Sequence, residues 1–152
     1  MATDRQAMQD LVYRSCSLLD DERYDDWLAL LAPGFRYRIT AYSPEIRKAM
    51  TWLDHDAGEL RALFDNLPSH VRVLGAYRRH VGVFEEVSRD GNATGLRSSV
   101  VVYHTDLKGA SKLFALARYH DTVTAVDGSH LLAAREVRLD TRQLDFGPHV
   151  II

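Results

Sequence analysis

Residues 112–125 read KLFALARYHDTVTA and lie between two turn sequences, Lys108-Gly109-Ala110 before them and Asp127-Gly128 after them. In an extended chain, alternate side chains point to opposite faces. One face would carry Leu113, Ala115, Ala117, Tyr119 and Asp121, and the other Phe114, Leu116, Arg118, His120 and Thr122. Apolar residues stand on both faces in the first half, which predicts a long strand in a sheet that is covered on both sides. Such a sheet favours oligomerisation.

Strand patterns continue on both sides of this stretch. Residues 79–87, 96–105 and 130–144 are each predicted to form a strand, with a hairpin turn over 88–95. Nearer the start, residues 35–40 (FRYRIT) alternate apolar and basic side chains, which is typical of a strand with one buried face. Residues 41–53 contain Ser43-Pro44 and are interpreted as a loop.

Helical spacing of apolar residues marks the first third of the chain and one later segment. Each of three predicted helices places these residues on a single face. The faces consist of Met8, Leu11, Val12, Ser15, Leu18 and Leu19 in the first helix, of Tyr24, Trp27, Leu28 and Leu31 in the second, and of Leu60, Leu63, Phe64 and Leu67 in the third. Thr3 and Gln6 have capping-box spacing before the first helix. Pro33-Gly34 is predicted to end the second helix, and Pro68 the third.

The segment Asp54-His55-Asp56 has two interpretations. It could form a charged catalytic cluster, but aspartates in such a position more often cap a helix. Asp56 stands three residues before Glu59, which is the spacing of a capping box. We therefore interpret the segment as the start of the third helix.

Helices first and a run of antiparallel strands afterwards define an α+β fold, not alternating parallel units. The length of 152 residues predicts one domain over 1–152. If the sheet curls, the helices can close its concave side, which leaves either a packed cone or a pocket.

Charge and composition exclude several functions. The 19 basic and 21 acidic residues are interspersed, so there is no basic stripe to follow a nucleic acid. No apolar run is long enough to cross a membrane, and the first residues lack a signal peptide, so we expect a cytoplasmic protein. Cys16 is the only cysteine. A Rieske cluster needs two cysteines and two histidines, so this chain cannot hold one.

Four segments carry a family resemblance, in order along the chain. They are 18–31 (LLDDERYDDWLALL) with the aromatic strand 35–39 after it, 96–103 (LRSSVVVY), 117–122 (ARYHDT) and 133–140 (AAREVRLD). The chain resembles the beta (small) subunits of Rieske-type aromatic-ring-hydroxylating dioxygenases. Residues 42–48 (YSPEIRK) and 50–56 (MTWLDHD) are most similar to the small subunit of methanesulfonate monooxygenase.

The resemblance implies a nuclear-transport-factor-2-like cone with a mainly structural role. Such beta subunits form a homotrimer within a hexamer of three alpha and three beta chains. The alpha subunit carries the Rieske iron-sulfur cluster and the mononuclear iron, so no cofactor is expected in this chain. Substrate choice would belong to the iron pocket of the alpha subunit.

Two alternative interpretations give the chain chemistry of its own. The cone fold also hosts isomerases, dehydratases and polyketide cyclases, which use a buried acid/base pair, and Tyr37, His104, Tyr119 and Asp121 are the candidates. A cone that only binds a small molecule is a further alternative.

His104 and Asp106 have the spacing of part of a facial iron triad, with His120, His130 or His149 as the third ligand. With 7 histidines in the chain, chance can supply that spacing, so we predict no metal.

Surface arginines are the candidates for subunit contact. Arg78, Arg79 and His80 form a compact basic group at the start of a strand, and Arg118 stands on the third strand. Arginine forms bidentate pairs with carboxylates, so this group could meet acidic residues of a partner. The alternative is a solvated strand end.

Overall fold

The computed structural model describes residues 4–67, 74–144 and 151–152. In this part of the chain there are three helices and six strands. In chain order they are α1 (Asp4–Asp20), α2 (Tyr24–Leu28), β1 (Leu31–Ser43), β2 (Lys48–Asp56), α3 (Ala57–Asn66), β3 (Ala76–Asp90), β4 (Ala93–Thr105), β5 (Ser111–Val126) and β6 (Ser129–Leu139). The predicted α+β organisation is confirmed.

All six strands belong to one curved, mixed sheet in the order β2-β1-β6-β5-β4-β3. Neighbouring strands are antiparallel except β1 and β6, which run parallel. Strands β3 to β6 therefore form the predicted meander, and the hairpin of β1 and β2 extends it along the edge of β6. This arrangement brings the middle of β1 next to the middle of the last strand.

The helices cover one face of the sheet, which we call the inner face. Helix α1 lies against β3 and β6, and α3 lies against β1 and β2. Trp27 on the short α2 is fully buried and meets Phe35 and Phe64 edge to face, with ring centroids 6.0 and 5.8 Å away. Such ring pairs add roughly 0.5–1.5 kcal/mol each beyond the burial of area. They tie β1 and α3 together through a single side chain.

The predicted start of α3 is confirmed. The Asp56 carboxylate accepts a hydrogen bond from the Glu59 backbone N–H at 2.8 Å, and the Glu59 carboxylate accepts one from the Asp56 N–H at 3.2 Å. These reciprocal bonds satisfy amides that have no partner inside the helix. The predicted cap at Thr3 and the stop at Pro68 lie outside the described residues.

The predicted loop over 41–53 is wrong. Strand β1 continues to Ser43, the chain reverses after it, and β2 starts at Lys48, which pairs with Ser43. Most side chains at the start of β2 are exposed because it is an edge strand, so its sequence shows no alternation. Only the turn at Ser43-Pro44 was indicated by its residues.

The predicted end of the second helix is also wrong. Helix α2 stops at Leu28, and Pro33-Gly34 lies inside β1, where the pairing with β6 shifts between Leu31 and Arg36. A proline cannot donate to the sheet, and a bulge is one of the few places where a strand tolerates it. Proline and glycine therefore mark an irregularity in a strand here, not the end of a helix.

The strand ends differ from the predicted ones at two further places. The hairpin turn is shorter than 88–95, because Ser88 pairs with Gly95 and Asp90 with Ala93. Strand β6 ends at Leu139 instead of residue 144, where the regular ladder stops: the Leu116 carbonyl accepts from the N–H groups of both Asp140 and Thr141, and the Leu116 N–H donates to the Thr141 hydroxyl. No helix in the described residues is long and apolar enough to span a membrane.

Candidate functional site

The centre of the inner face holds a buried ion pair between β5 and β6. Asp121 and Arg135 are directly opposite each other in the sheet register. The Arg135 Nε donates to Asp121 Oδ1 at 2.8 Å, and its Nη2 donates to Oδ2 at 3.1 Å. The two side chains are 0% and 1% exposed. This is the bidentate geometry in which arginine binds a carboxylate most strongly.

Other groups complete the surroundings of the Arg135 guanidinium. Its Nη2 also donates to the Ser15 hydroxyl at 3.0 Å, and its carbon lies 4.0 Å from the centre of the Tyr119 ring. Burial by itself lowers the pKa of Arg135, but the Asp121 carboxylate outweighs burial and raises it. The guanidinium therefore stays charged, and both oxygens of the Asp121 carboxylate remain hydrogen-bonded to it.

A second ion pair lies at the edge of the same interior. Arg79 donates from Nη1 to Asp20 Oδ1 at 2.7 Å and from Nη2 to the Ile151 carbonyl at 2.6 Å. The Arg79 side chain is 2% exposed. Arg79 therefore does not belong to the predicted basic surface group. Its guanidinium lies inside the molecule and connects β3 with α1 and with the backbone at Ile151.

Ile151 and Ile152 fill space inside the cone. They are 2% and 1% exposed. The Tyr37 hydroxyl donates to the Ile152 backbone oxygen at 3.1 Å and accepts from its N–H at 2.8 Å. Both hydrogen-bonding functions of this phenol are thus occupied by the chain itself.

Burial keeps two phenols and the thiol of the interior protonated. It raises the pKa of the Tyr37 phenol, the Tyr119 phenol and the Cys16 thiol above their usual values. The Cys16 sulfur lies 3.8 Å from the Tyr119 hydroxyl, in van der Waals and weak hydrogen-bond contact. One buried cysteine of this kind does not offer the ligand set of an iron-sulfur cluster.

The structure brings together three of the four predicted acid/base candidates, since Tyr37, Tyr119 and Asp121 surround Arg135. His104 is not among them. Asp121 pairs with Leu96, which is eight residues from His104 along β4 or roughly 26 Å at the rise of a strand. His104 is buried against the Tyr77 ring, at 4.8 Å between centroids, and its Nε2 has no hydrogen-bond partner among the described residues.

The histidines proposed for an iron triad are also separated. Asp106 accepts hydrogen bonds from the Lys108 and Ala110 amides at 2.9 Å and shapes the turn after β4. His130 pairs with Asp4 at 2.8 Å, and His120 lies on the other face of the sheet. His149 is outside the described residues. Within the residues that the structure describes, no group of three potential ligands could hold a metal ion.

The face of the sheet turned away from the helices, which we call the outer face, is open. Arg78, His80, Leu116 and Arg118 on it are exposed. Within the part described, the helices of this chain occupy only the inner face, so the predicted cover of the outer face by oligomerisation stays a prediction.

Arginines are concentrated at the centre of the outer face. We call Arg38, Arg97, Arg118 and Arg138, together with His120, the arginine face. Arg118 and Arg138 are direct neighbours across β5 and β6, and His120 and Arg97 across β5 and β4. All of these except Arg38 line a shallow depression of about 450 Å³, which Thr40, Tyr42, Ala49, Glu136, Leu139 and Asp140 also line.

Some charges of the arginine face are balanced within the chain. Arg138 Nε lies 3.2 Å from Glu136, and Arg97 pairs with Glu85. Among the residues described, no carboxylate pairs with Arg118. Burial and then the Arg138 charge lower the pKa of His120, which keeps this imidazole neutral at pH 7.

Arg135, which organises the interior, was not among the predicted site residues. A signal was present, because Arg135, Val137 and Leu139 alternate with Glu136 and Arg138 and place an arginine on the apolar face of the strand. A charge at such a position requires a buried partner. Asp121 on the buried face of the preceding predicted strand was the available carboxylate.

The comparisons with known proteins agree with one another on the family of this chain. Residues 1–136 match the model of the SnoaL-like domain family. The chain is 33% identical over 149 residues to the 2-aminobenzenesulfonate 2,3-dioxygenase subunit beta of an Alcaligenes species, covering 98% of this chain and 99% of that one. It is 36% identical over 153 residues to the methanesulfonate monooxygenase hydroxylase subunit beta of Methylosulfonomonas methylovora, covering 94% of this chain and 84% of that one.

A solved structure extends the comparison to the fold. The benzoate 1,2-dioxygenase beta subunit of Burkholderia mallei superposes with a TM-score of 0.78 at 17% identity, covering 99% of this chain and 100% of that one. The chain thus belongs to the SnoaL-like family and, within it, to the beta subunits of Rieske-type ring-hydroxylating oxygenases. The predicted nuclear-transport-factor-2-like fold and the predicted family are both confirmed.

Proposed function

We propose that this chain is the non-catalytic beta subunit of the hydroxylase component of a Rieske oxygenase. Its partner would be an alpha subunit that carries the Rieske cluster and the mononuclear iron, in a cytoplasmic complex of three alpha and three beta chains. The observation that carries the proposal is the buried pair in which both Asp121 carboxylate oxygens accept hydrogen bonds from Arg135, whose Nη1 is left without a partner among the described residues. The curated relatives, which are beta subunits over nearly their full length, support the same assignment.

The alternative of a stand-alone cone enzyme requires a carboxylate or histidine that can reach a substrate. Asp121 is bound by Arg135 on both oxygens, and Tyr37 is bound on both sides by Ile152. His104 lies roughly 26 Å along the strand from Leu96, the residue opposite Asp121. A cavity of about 460 Å³ has Asp121 and Arg135 in its lining, but the two side chains are paired with each other and at most 1% exposed, so no observation among the described residues favours an isomerase or dehydratase over the subunit role.

The experiment compares the chain alone with the chain co-expressed with the alpha subunit encoded beside it. Alone, it should be colourless, contain no stoichiometric iron and show no turnover. Together, the two should co-purify as a coloured complex whose mass fits three copies of each. Substrate turnover by the lone chain, or failure of any alpha subunit to co-purify, would contradict the proposal.

We also propose that the assembled complex oxidises an organosulfonate. Both curated relatives are subunits of oxygenases named for a sulfonate, one aromatic and one aliphatic. The test measures oxygen and reduced-nicotinamide consumption by the reconstituted complex with 2-aminobenzenesulfonate, methanesulfonate and benzoate. Turnover of benzoate alone would show that the substrate class differs from that of these relatives.

A further inference from the structure

The outer face carries an arrangement that costs stability in the isolated chain. Arg118 on β5 and Arg138 on β6 are exposed and directly opposite in the register. Like charges in directly opposed positions of a sheet repel each other. Glu136 binds Arg138 through both of its carboxylate oxygens, at 3.2 and 3.3 Å, so it offsets one of the two charges. The charge of Arg118 remains unbalanced.

The neighbours of Arg118 do not relieve this repulsion. On its other side the register partner is Ser99, and the next outward residue along β5 is His120, which faces Arg97. Arg38 adds a further positive charge from β1, and its Nη2 donates to the Thr51 hydroxyl at 3.5 Å. Among the described residues, the acids that face this region are Glu85, Glu136 and Asp140. Arg97 and Arg138 engage the first two, and Asp140 lines the same depression as Arg118 without forming an ion pair with it.

Resting on the proposed function, we propose that the arginine face docks an acidic surface of the alpha subunit, with an aspartate or glutamate of that subunit seated between Arg118 and Arg138. A carboxylate in this position would receive charge-assisted hydrogen bonds from two guanidinium groups and remove their repulsion. The shallow depression beside them gives such a side chain space to lie against the two arginine side chains.

The positive charge of the arginine face indicates what kind of partner surface binds to it. A second copy related by a two-fold axis would oppose the arginine face to itself and increase the repulsion, whereas a neighbour in a three-fold trimer would meet it with a different patch, so the oligomeric state of the lone chain is part of the test below. An acidic partner surface turns an unfavourable arrangement into a favourable one. Because the face is open, charged and shallow instead of apolar, its contribution should depend on salt.

The full chain carries an affinity tag and is co-expressed with the alpha subunit encoded beside it. The experiment measures how much alpha subunit co-purifies with the tagged chain and the dissociation constant between the two subunits. Arg118→Glu should weaken capture by about 10- to 100-fold, the size of one charge-assisted hydrogen bond. The matched control is Arg14→Glu, an exposed arginine on α1 at the helical side of the sheet, which should capture the alpha subunit as the unaltered chain does. Thermal unfolding of each variant shows that the fold is retained.

The outcomes separate the two proposals. If the unaltered chain captures no alpha subunit, the proposed function fails. If the unaltered chain and the Arg118→Glu variant capture the alpha subunit equally well, the arginine face is not the docking surface, while the proposed function stands. If Arg118→Glu changes the oligomeric state of the lone chain, a second copy occupies the face and the docking proposal is overturned. Rescue of Arg118→Glu by an aspartate- or glutamate-to-arginine change in the alpha subunit would identify the contacting residue.

Discussion

Arg135 and Asp121 face each other across the central strand pair of the sheet, with two hydrogen bonds of 2.8 and 3.1 Å and almost no solvent exposure. A buried pair of this kind stabilises little compared with apolar residues of the same shape, because both ions lose their hydration. Removing only one partner lowers the stability of the fold strongly, since the other charge then remains buried and unpaired. The pair therefore fixes the arrangement of the interior more than it adds to the total free energy of folding.

Asp121→Ala should lower the free energy of unfolding by about 3–5 kcal/mol, because it leaves the Arg135 guanidinium without its counterion. Urea unfolding followed by circular dichroism measures the change. The control is Asp26→Ala, which breaks the exposed pair with Arg23 and should cost no more than about 1 kcal/mol. The double variant Asp121→Leu with Arg135→Met should recover most of the loss, and a loss from Asp121→Ala as small as the control would contradict this account.

The buried tyrosines predict how stability depends on alkaline pH. Burial raises the pKa of Tyr37 and Tyr119 in the folded chain, whereas in the unfolded chain these phenols ionise near about 10. The stability they contribute is therefore complete below about pH 10 and is lost as the pH rises toward their folded pKa values. The tyrosinate absorbance of these two residues should appear together with loss of structure. Tyr119→Phe should remove part of that late absorbance change, and its persistence in full would count against the assignment.

Glu45 and Arg142 connect the β1–β2 turn with the segment after β6. Arg142 Nη1 lies 2.8 and 3.0 Å from the two carboxylate oxygens, and this pairing is the main reason why the pKa of Glu45 falls to about 2. The associated stability is present above the ordinary carboxyl pKa and is lost as the pH falls through the folded value. Carbon-detected NMR titration should find Glu45 near that value. Arg142→Ala should return it toward 4.5, and an unchanged titration would show that the pairing does not persist in solution.

The capping box of α3 can be tested alone. Asp56→Ala removes the acceptor for the Glu59 amide and should cost about 1 kcal/mol of stability. Asp65→Ala, an exposed aspartate near the end of the same helix, should cost less than half of that. Equal costs for the two variants would mean that the local charge, and not the cap, stabilises this helix.

The alternation along β5 was sufficient to predict its buried face. Ala115, Ala117, Tyr119 and Asp121 are all buried as the pattern indicates. Leu113 was expected on the same face but is 48% exposed, because the register of β4 and β5 shifts between Val102 and Tyr103. The unpaired residue at this shift is Phe114 of β5 itself, and it leaves no mark in the apolar alternation, so alternation alone could not place Leu113.

The candidate site was only partly predictable for a similar reason. Arg79 was assigned to the surface from its charge, yet Asp20, 59 positions away, pairs with it inside the molecule. A local pattern gives the face on which a residue lies, whereas the partner that makes a buried charge tolerable comes from a distant part of the chain. The assignment of the family came from the order of several segments, each of which is weak when taken singly.

The parallel pairing of β1 with β6 has a consequence for biosynthesis. Thr40 and Glu136, 96 positions apart, are joined by a hydrogen bond of 3.0 Å. The first hairpin therefore cannot join the sheet until the ribosome has released the last strand, and contacts of such long sequence separation form slowly. During that delay the nascent chain exposes unpaired strand edges, which makes it a candidate for chaperone binding and for aggregation when overproduced.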